Sequence, residues 1–520
     1  MQIDDIDKDA TFGVIGVCGI NGNLISRVLM DHGFKVQAND MVNEEDCRFK
    51  GALADYPDMK VYYGKIPQTF FTESDYMVLP MALIESKSMI YQKVKKHNIP
   101  VLTPNDIFEM FEPKHPVICI TGTNGKSTTT NLLKHIAYAA DMKPCEHNLK
   151  DMQGNTNDIP ALQSRLAGDL NILETGTFGV KDSLYNLAKP CDPDVGIITN
   201  ITPDHIAEDS TFLDYAMVKG ELIRLLDDKT LIVNSDDPTI KSLINKLNYQ
   251  GNLITFGVDY ETSSKSTKQC FCGCDVEVDE FISGSGRYEC SCGIKYEKPD
   301  YVACDINDEH NKFTLLTPSG EKLEFSLSIS GLHNIYNATG AIIAAIEVLD
   351  LNYEVIADAV ASFGGVAGRM QKLGVVDGKD IMIDYAHNPA GISTVLSEVK
   401  NSYGCVVNVI TTESESGMEG DHEILENALE YADFIVPASY NSYLCAKEAL
   451  KNGIGEGKII LPDEMSNFQK EGTTGASQHQ VIVGFMRALD IDCDLIICTG
   501  EAAFKYEDVI SDKINSINNN

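Results

Sequence analysis

Ten residues, Cys119-Ile-Thr-Gly-Thr-Asn-Gly-Lys-Ser-Thr128, restrict what this chain can be more than any other stretch. The apolar run Val117, Ile118, Cys119 and Ile120 reads as a buried strand, and Leu132, Leu133 and Ile136 recur at helical spacing just beyond it. A glycine turn lies between. Strand, glycine turn and helix is the geometry that points backbone N–H groups and a helix N-terminus at a phosphate. Gly122 and Gly125 let the backbone approach the anion, Lys126 adds a mobile cation, and Ser127 or Thr128 offers a hydroxyl to Mg2+. The stretch predicts a nucleoside triphosphate site. Ile120 stands where the general P-loop pattern has its first glycine, so the match is incomplete.

A chain of 520 residues is too long for one core and implies about three domains. Its net charge of −35 argues against a broad surface for nucleic acid or an anionic membrane. No segment approaches the roughly 18 uninterrupted apolar residues of a membrane span. The acidic opening MQIDDIDKDA is unlike a signal peptide, so a cytoplasmic protein is expected. Cysteines such as Cys18, Cys119, Cys405 and Cys498 sit in apolar segments and read as small core residues in a reducing compartment.

Three α/β units follow one another. In the first, a strand from Phe12 leads into Gly16, Gly19 and Gly22, then a helix through Leu24, Ile25, Val28 and Leu29, then a strand ending near Asp40. The spacing G-x-x-G-x-x-G is not the dinucleotide fingerprint, and a structural turn is as good a reading there as a ligand site. Pro113 and Pro116 mark a boundary. In the second unit Asn171-Ile-Leu-Glu174 and Val195-Gly-Ile-Ile-Thr-Asn-Ile-Thr-Pro-Asp-His205 are strands giving out at Glu174 and His205, where parallel sheets gather their ligands. Tyr215-Ala-Met-Val-Lys219 lies on a helix. The third unit opens at Phe363-Gly-Gly, and its first strand ends in Asp384-Tyr-Ala-His-Asn-Pro389. The fold class expected is α/β in three domains: a Rossmann-like domain over 1–112, a central P-loop ATPase domain over 113–362, and a second Rossmann-like, parallel-sheet domain over 363–520.

Within the central unit, residues 268–304 form a Cys-rich insert. Two Cys-x-Cys-Gly knuckles, at Cys270 and Cys272 and at Cys290 and Cys292, suit a zinc-ribbon-like site in which four thiolates hold a structural Zn2+. The spacing is tighter than the usual C-x-x-C, and Cys274 is a fifth candidate. Loss of that ion is expected to melt the insert locally and to leave nucleotide binding in place.

The phosphate loop, Glu174, Asp204-His205, Lys219, Gly331-Leu-His-Asn334, Gly368-Arg369-Met370 and Asp384-Tyr-Ala-His-Asn-Pro389 form one ordered series. The series resembles the Mur ligase family, ATP-dependent enzymes that form amide bonds in cell-wall precursors. With the Cys-rich insert and the long first unit together, the chain is most similar to the archaeal pseudomurein peptide ligases. The resemblance implies an ATP site made by Gly122, Thr123, Asn124, Gly125, Lys126, Ser127 and Thr128, with Asn334 on the adenine side and Arg369 and Asp384 reaching phosphates and ribose. It implies Mg2+ held by Ser127 and Glu174, a second Mg2+ by His205, and Lys219 carbamoylated beside it. Lys126, Glu174, His205 and Lys219 would be the catalytic set. The first unit would bind a uridine nucleotide through Gly16, Gly19, Asn21 and Asp40. The activity implied is ADP-forming ligation of an amino acid to a UDP-linked peptide or sugar precursor through an acyl phosphate, by a monomer with no nucleic-acid or membrane partner. Val436-Pro-Ala-Ser-Tyr-Asn-Ser-Tyr443 holds no arginine for a distal carboxylate, so the amino acid is not legible. Alternatives are a related ligase with a non-wall substrate (a nickel-tetrapyrrole cofactor cyclising ligase or a lipid-linked precursor amidating ligase), a nucleotide switch, and a nucleotide-holding binding protein.

Overall fold

A computed structural model describes residues 6–149, 158–176, 179–203, 210–261, 264–411, 413, 417–463 and 476–518. Three open sheets follow the chain. The first has five parallel strands in the order Lys60–Tyr63, Lys35–Asp40, Thr11–Ile15, Tyr76–Val78, Val101–Leu102. The order reverses direction at Thr11–Ile15, so the Gly16 turn lies at the switch point where such sheets open a crevice. Helix Ile20–Asp31 follows, and its first turn is pressed onto that glycine turn. A Cβ on Gly22 would stand 2.1 Å from the Gly16 carbonyl oxygen.

The middle sheet has eight strands in the order Lys322–Ser326, Lys312–Leu316, Tyr301–Cys304, Asn252–Val258, Thr230–Asn234, Val195–Ile198, Val117–Thr121, Asn171–Glu174. The six from Tyr301–Cys304 onward are parallel, and two antiparallel strands form one edge. The parallel strands are short and almost wholly apolar because helices cover both faces. Lys126–Ala139 and Leu332–Glu347 share one face through Leu133, Ile136, Ile335 and Ile342. Phe212–Lys219, Glu221–Leu226 and Pro238–Leu247 cover the other through Tyr215, Leu222 and Leu243. The Cys-rich insert is a separate antiparallel sheet, Ser264–Gln269, Asp275–Ile282 and Ser285–Tyr288, between two strands of the parent sheet.

The third sheet runs Gln371–Val376, Lys379–Asp384, Leu495–Thr499, Val406–Ile410, Phe434–Pro437. Four strands are parallel as expected; Gln371–Val376 is an antiparallel edge, because a tight Asp377-Gly378 turn folds it straight back onto its neighbour.

Two further findings differ from the sequence reading. Cys18 is not a free core thiol: it is bonded to Cys47 across 29 residues, because the glycine turn and the loop after Asp40 close on each other. The core of the first sheet also continues past residue 112. Cys145, Leu149, Ile159, Leu162 and Leu166 belong to it. Arg27 donates to the carbonyls of Glu146 and His147, Asn21 Nδ2 donates to Asp158 at 2.6 Å, and Asp31 accepts from the N–H of Ala167 at 2.7 Å. Among the described residues no helix is long and apolar enough to cross a membrane.

Candidate functional site

Strand Val117–Thr121 is fully buried and ends at the glycine turn, and helix Lys126–Ala139 starts at its far side. Gly125 caps that helix at φ +84°, and a Cβ there would lie 2.0 Å from Asn337 Oδ1 of helix Leu332–Glu347, so only glycine fits. The loop is braced by the residues that end the neighbouring strand. The N–H of Thr123 donates to the Asn200 carbonyl at 2.8 Å, the N–H of Asn124 to Asn200 Oδ1 at 3.0 Å, and Thr199 Oγ1 to the Asn124 carbonyl at 2.7 Å. Thr123 turns its side chain inward: Oγ1 lies 3.1 Å from the Tyr215 hydroxyl and accepts from the N–H of Thr202 at 3.0 Å. Lys126 Nζ donates to the Thr123 carbonyl at 2.6 Å.

A cleft between the middle and third sheets brings most of the expected nucleotide residues together. Asn124, Gly125, Ser127 and Thr128 line it from the loop, Asn334 from helix Leu332–Glu347, and Arg369 and Asp384 from the third unit. Asp384 is 3% exposed and accepts from the N–H groups of Met370 at 2.8 Å and Ala386 at 2.7 Å. The guanidinium of Arg369 lies 4.7 Å from the Tyr385 ring centre. Asn388 Nδ2 reaches Asn124 Oδ1 at 3.5 Å, a direct contact between the third unit and the phosphate loop. The sequence does not mark Thr199, Asn200 or Asn337 as site residues, and His333 stands in it only as a member of the Gly331-Leu-His-Asn334 motif; the polar end of strand Val195–Ile198 is the signal for the first two. Burial pushes the His333 imidazole below its ordinary range, and the charge of Glu398 on the third unit works against that.

Glu174 ends the strand beside the phosphate-loop strand, paired in register with Ile120, outside the lining of the cleft. A hydroxyl at Ser127 and a carboxylate at Glu174, at the ends of adjacent strand and helix, are an oxygen donor set of the kind Mg2+ takes. Lys219 is the last residue of helix Phe212–Lys219 and is 1% exposed, with Nζ 5.1 Å from the Tyr215 ring centre. Tyr215 is the same residue whose hydroxyl meets Thr123, so Lys219 sits behind the loop inside the protein, not on its surface. Asp204 and His205 lie outside the described residues. The first-unit candidates form a separate group. Gly16 and Gly19 make the turn, Asp40 Oδ2 accepts from the N–H of Cys18 at 3.0 Å, and Asn21 is engaged with Asp158.

The four cysteines converge. Their Sγ atoms all lie within 4.8 Å of one another, with Cys270 to Cys292 at 3.7 Å and Cys272 to Cys290 at 3.5 Å. A tetrahedron with the usual Zn–S distance of about 2.3 Å has edges of about 3.8 Å, so the donor set fits zinc. Hydrogen bonds from the N–H of Ile294 and from the Cys290 thiol hold the Cys292 thiol below its ordinary range. Cys274 is exposed and outside the cluster.

Comparison with known proteins gives the family. Residues 120–294 match the family model of the Mur ligase middle domain. A pseudomurein peptide ligase type C from Methanothermus fervidus is 32% identical, with 97% of this chain and 100% of that one covered at a TM-score of 0.84. A UDP-N-acetylmuramate–L-alanine ligase of Clostridium perfringens is 25% identical over 413 residues, 76% of this chain and 75% of the relative. The UDP-N-acetylmuramate–alanine ligase of Thermotoga maritima, at 15% identity and a TM-score of 0.55 over 98% of both chains, shares the fold. With better than 30% identity sustained over nearly its whole length, and the middle-domain match spanning the phosphate loop, the chain belongs to the Mur ligase family.

Proposed function

We propose that this protein is an ADP-forming ligase that joins an amino acid to a UDP-linked peptide precursor of the pseudomurein wall. The observation that carries the reading is the cleft in which Asn124, Gly125 and Ser127 of the middle unit face Arg369 and Asp384 of the third. The full-length likeness to a pseudomurein peptide ligase supports the choice of precursor.

In this reading residues 1–112 hold the uridine nucleotide at the switch-point crevice, with Gly16, Gly19, Asn21 and Asp40 around it. Residues 113–362 hold ATP, and residues 363–520 close over it and carry the amino-acid site. The precursor's carboxylate attacks the γ-phosphorus, ADP departs, and the amine displaces phosphate from the acyl phosphate. Lys126 and the loop N–H groups steady the charge that builds on the transferring phosphoryl group. Ser127, Glu174, His205 and the modified Lys219 would hold Mg2+, which would supply the rest of that charge neutralisation. The Lys219 ammonium first gives up a proton, and the neutral amine then adds CO2 and gives up a second, which leaves a carbamate anion in place of a cation. Arg369 and Asp384 complete the pocket when the third unit closes and excludes water that would hydrolyse the acyl phosphate. The four cysteines hold one structural Zn2+.

The test is phosphate release from ATP against a panel of UDP-linked peptides and sugars, each with a set of amino acids, with hydroxylamine added to trap an acyl phosphate as hydroxamate. Phosphate and hydroxamate formed with a UDP-linked acceptor are expected. Release with tetrapyrrole or lipid-linked acceptors alone would reassign the substrate.

A further inference from the structure

The Cys-rich insert reaches the nucleotide cleft. Strand Asp275–Ile282 turns at Ser283-Gly284 and returns as Ser285–Tyr288, and Ile282, Ser283 and Ser285 line the cleft. The cysteines lie at the other end of the same ribbon: Cys270 and Cys272 precede the outgoing strand, and Cys290 and Cys292 follow the returning one. One ion held by all four would therefore tie together the two ends of the ribbon whose tip enters the cleft.

The ribbon is seated on residues 234–239, just past strand Thr230–Asn234. Asn234 Nδ2 donates to Ser285 Oγ at 3.4 Å, the N–H of Gly286 to the Asp236 carbonyl at 2.9 Å, and the Tyr288 hydroxyl to the Ser235 carbonyl at 3.0 Å. At the tip, Ser283 Oγ lies 2.7 Å from Thr394 Oγ1 on helix Pro389–Ser402 of the third unit. Asn234 ends a strand two places from the phosphate-loop strand, roughly 10 Å away by two strand spacings. Phosphates belong at the loop, so the ribbon tip flanks the nucleoside end of the cleft.

We propose that a Zn2+ ion in the four-cysteine site keeps this ribbon in register, so that Ile282–Ser285 form the nucleoside wall of the pocket and latch the third unit through Ser283 and Thr394. The inference rests on the ATP reading above. Its physical basis is that the insert is a small sheet, with strands of 6, 8 and 4 residues and a core of a few side chains, whereas an ion that binds both ends of the ribbon orders it before the ligand arrives. This reverses the expectation that zinc loss leaves nucleotide binding in place.

The test compares zinc-loaded protein, about one equivalent by metal analysis, with protein stripped by a chelator that is then removed, in Mg2+ buffer, with ADP and inorganic tripolyphosphate as probes. Stripping should weaken ADP by about tenfold and leave tripolyphosphate within about twofold, and zinc should restore ADP binding. Amide exchange over 275–288 should accelerate. Ser283→Ala keeps its zinc and should weaken ADP by about threefold through the lost latch. Protein purified without zinc but with the ribbon protected from exchange overturns the proposal. So does unchanged ADP affinity after stripping, or an equal loss for both probes. Zinc-loaded protein that binds neither probe would remove the ATP reading itself.

Discussion

Lys268 and Asp237 form an ion pair sealed from water, their side chains 5% and 0% exposed. The same carboxylate accepts from the N–H groups of Thr239 and Ile201, both at 2.9 Å. One buried anion thus caps helix Pro238–Leu247, holds the segment after strand Val195–Ile198 and anchors the insert. Lys268→Met leaves that anion without its counter-charge and should cost about 3–5 kcal/mol in chemical denaturation. A loss under about 1 kcal/mol, the value of an exposed pair, would show that water reaches the site.

Asp236 next to it predicts a pH dependence. Burial pushes its carboxyl up to about 7, against the pull of hydrogen bonds from the Tyr336 hydroxyl at 2.6 Å and the Val258 N–H at 2.8 Å. A folded value above the unfolded one means that the contribution is full below about pH 4 and is lost as pH rises through 7. Asp236→Asn should remove that slope, on the order of 4 kcal/mol between pH 4 and 7. Denaturation curves of the two proteins that stay parallel over this range would contradict it.

Lys126→Ala should reduce ATP-dependent phosphate release by at least about a hundredfold while the melting temperature stays near the parent value. Near-normal release would remove the role given to the phosphate loop.

Lys219→Ala should be inactive, and acetate or formate at millimolar concentration should restore part of the activity by placing a carboxylate in the space behind Thr123 and Tyr215. At 1% exposure the lysine also fills core volume, so a fall in melting temperature accompanies the loss. Full activity without added acid would end the carbamate role.

The Cys18–Cys47 bond should leave thirteen of the fifteen thiols titratable in denatured, unreduced protein. Reduction should lower stability by about 3–4 kcal/mol, from closure of a 29-residue loop. Fifteen reactive thiols would show that the pair is open.

The phosphate loop was legible because it is local: one strand, one turn and one helix, contiguous from Val117 to Ala139, carry their own signal. The short apolar strands of the three sheets announced themselves in the same way. The braces were not legible. Nothing in Thr199-Asn200 says that both will bond to Asn124, and nothing in helix Phe212–Lys219 says that its last residue will be buried behind the loop. Cys18 and Cys47 look like any two core thiols until the crevice loops close. Ser283-Gly284-Ser285 reads as an ordinary polar turn, and only the third unit, a hundred residues later, gives it an occupied place.

The packing of helix Ile20–Asp31 against residues 145–149 and 158–166 decides how the molecule can come apart. Ile159 and Leu162 are fully buried and Leu166 is 2% exposed, in a core whose other half is built from the first sheet. The third unit meets its neighbour differently, through small polar handshakes such as Ser283 with Thr394 and Asn388 with Asn124 around an open cleft. A cut near residue 112 would split a close-packed apolar core, whereas a cut near residue 363 would separate a unit held in part by polar contacts across a cleft. If the first sheet's crevice holds the precursor as proposed, its place relative to the phosphate loop follows from this shared core, and is set when the chain folds, not when the substrate binds.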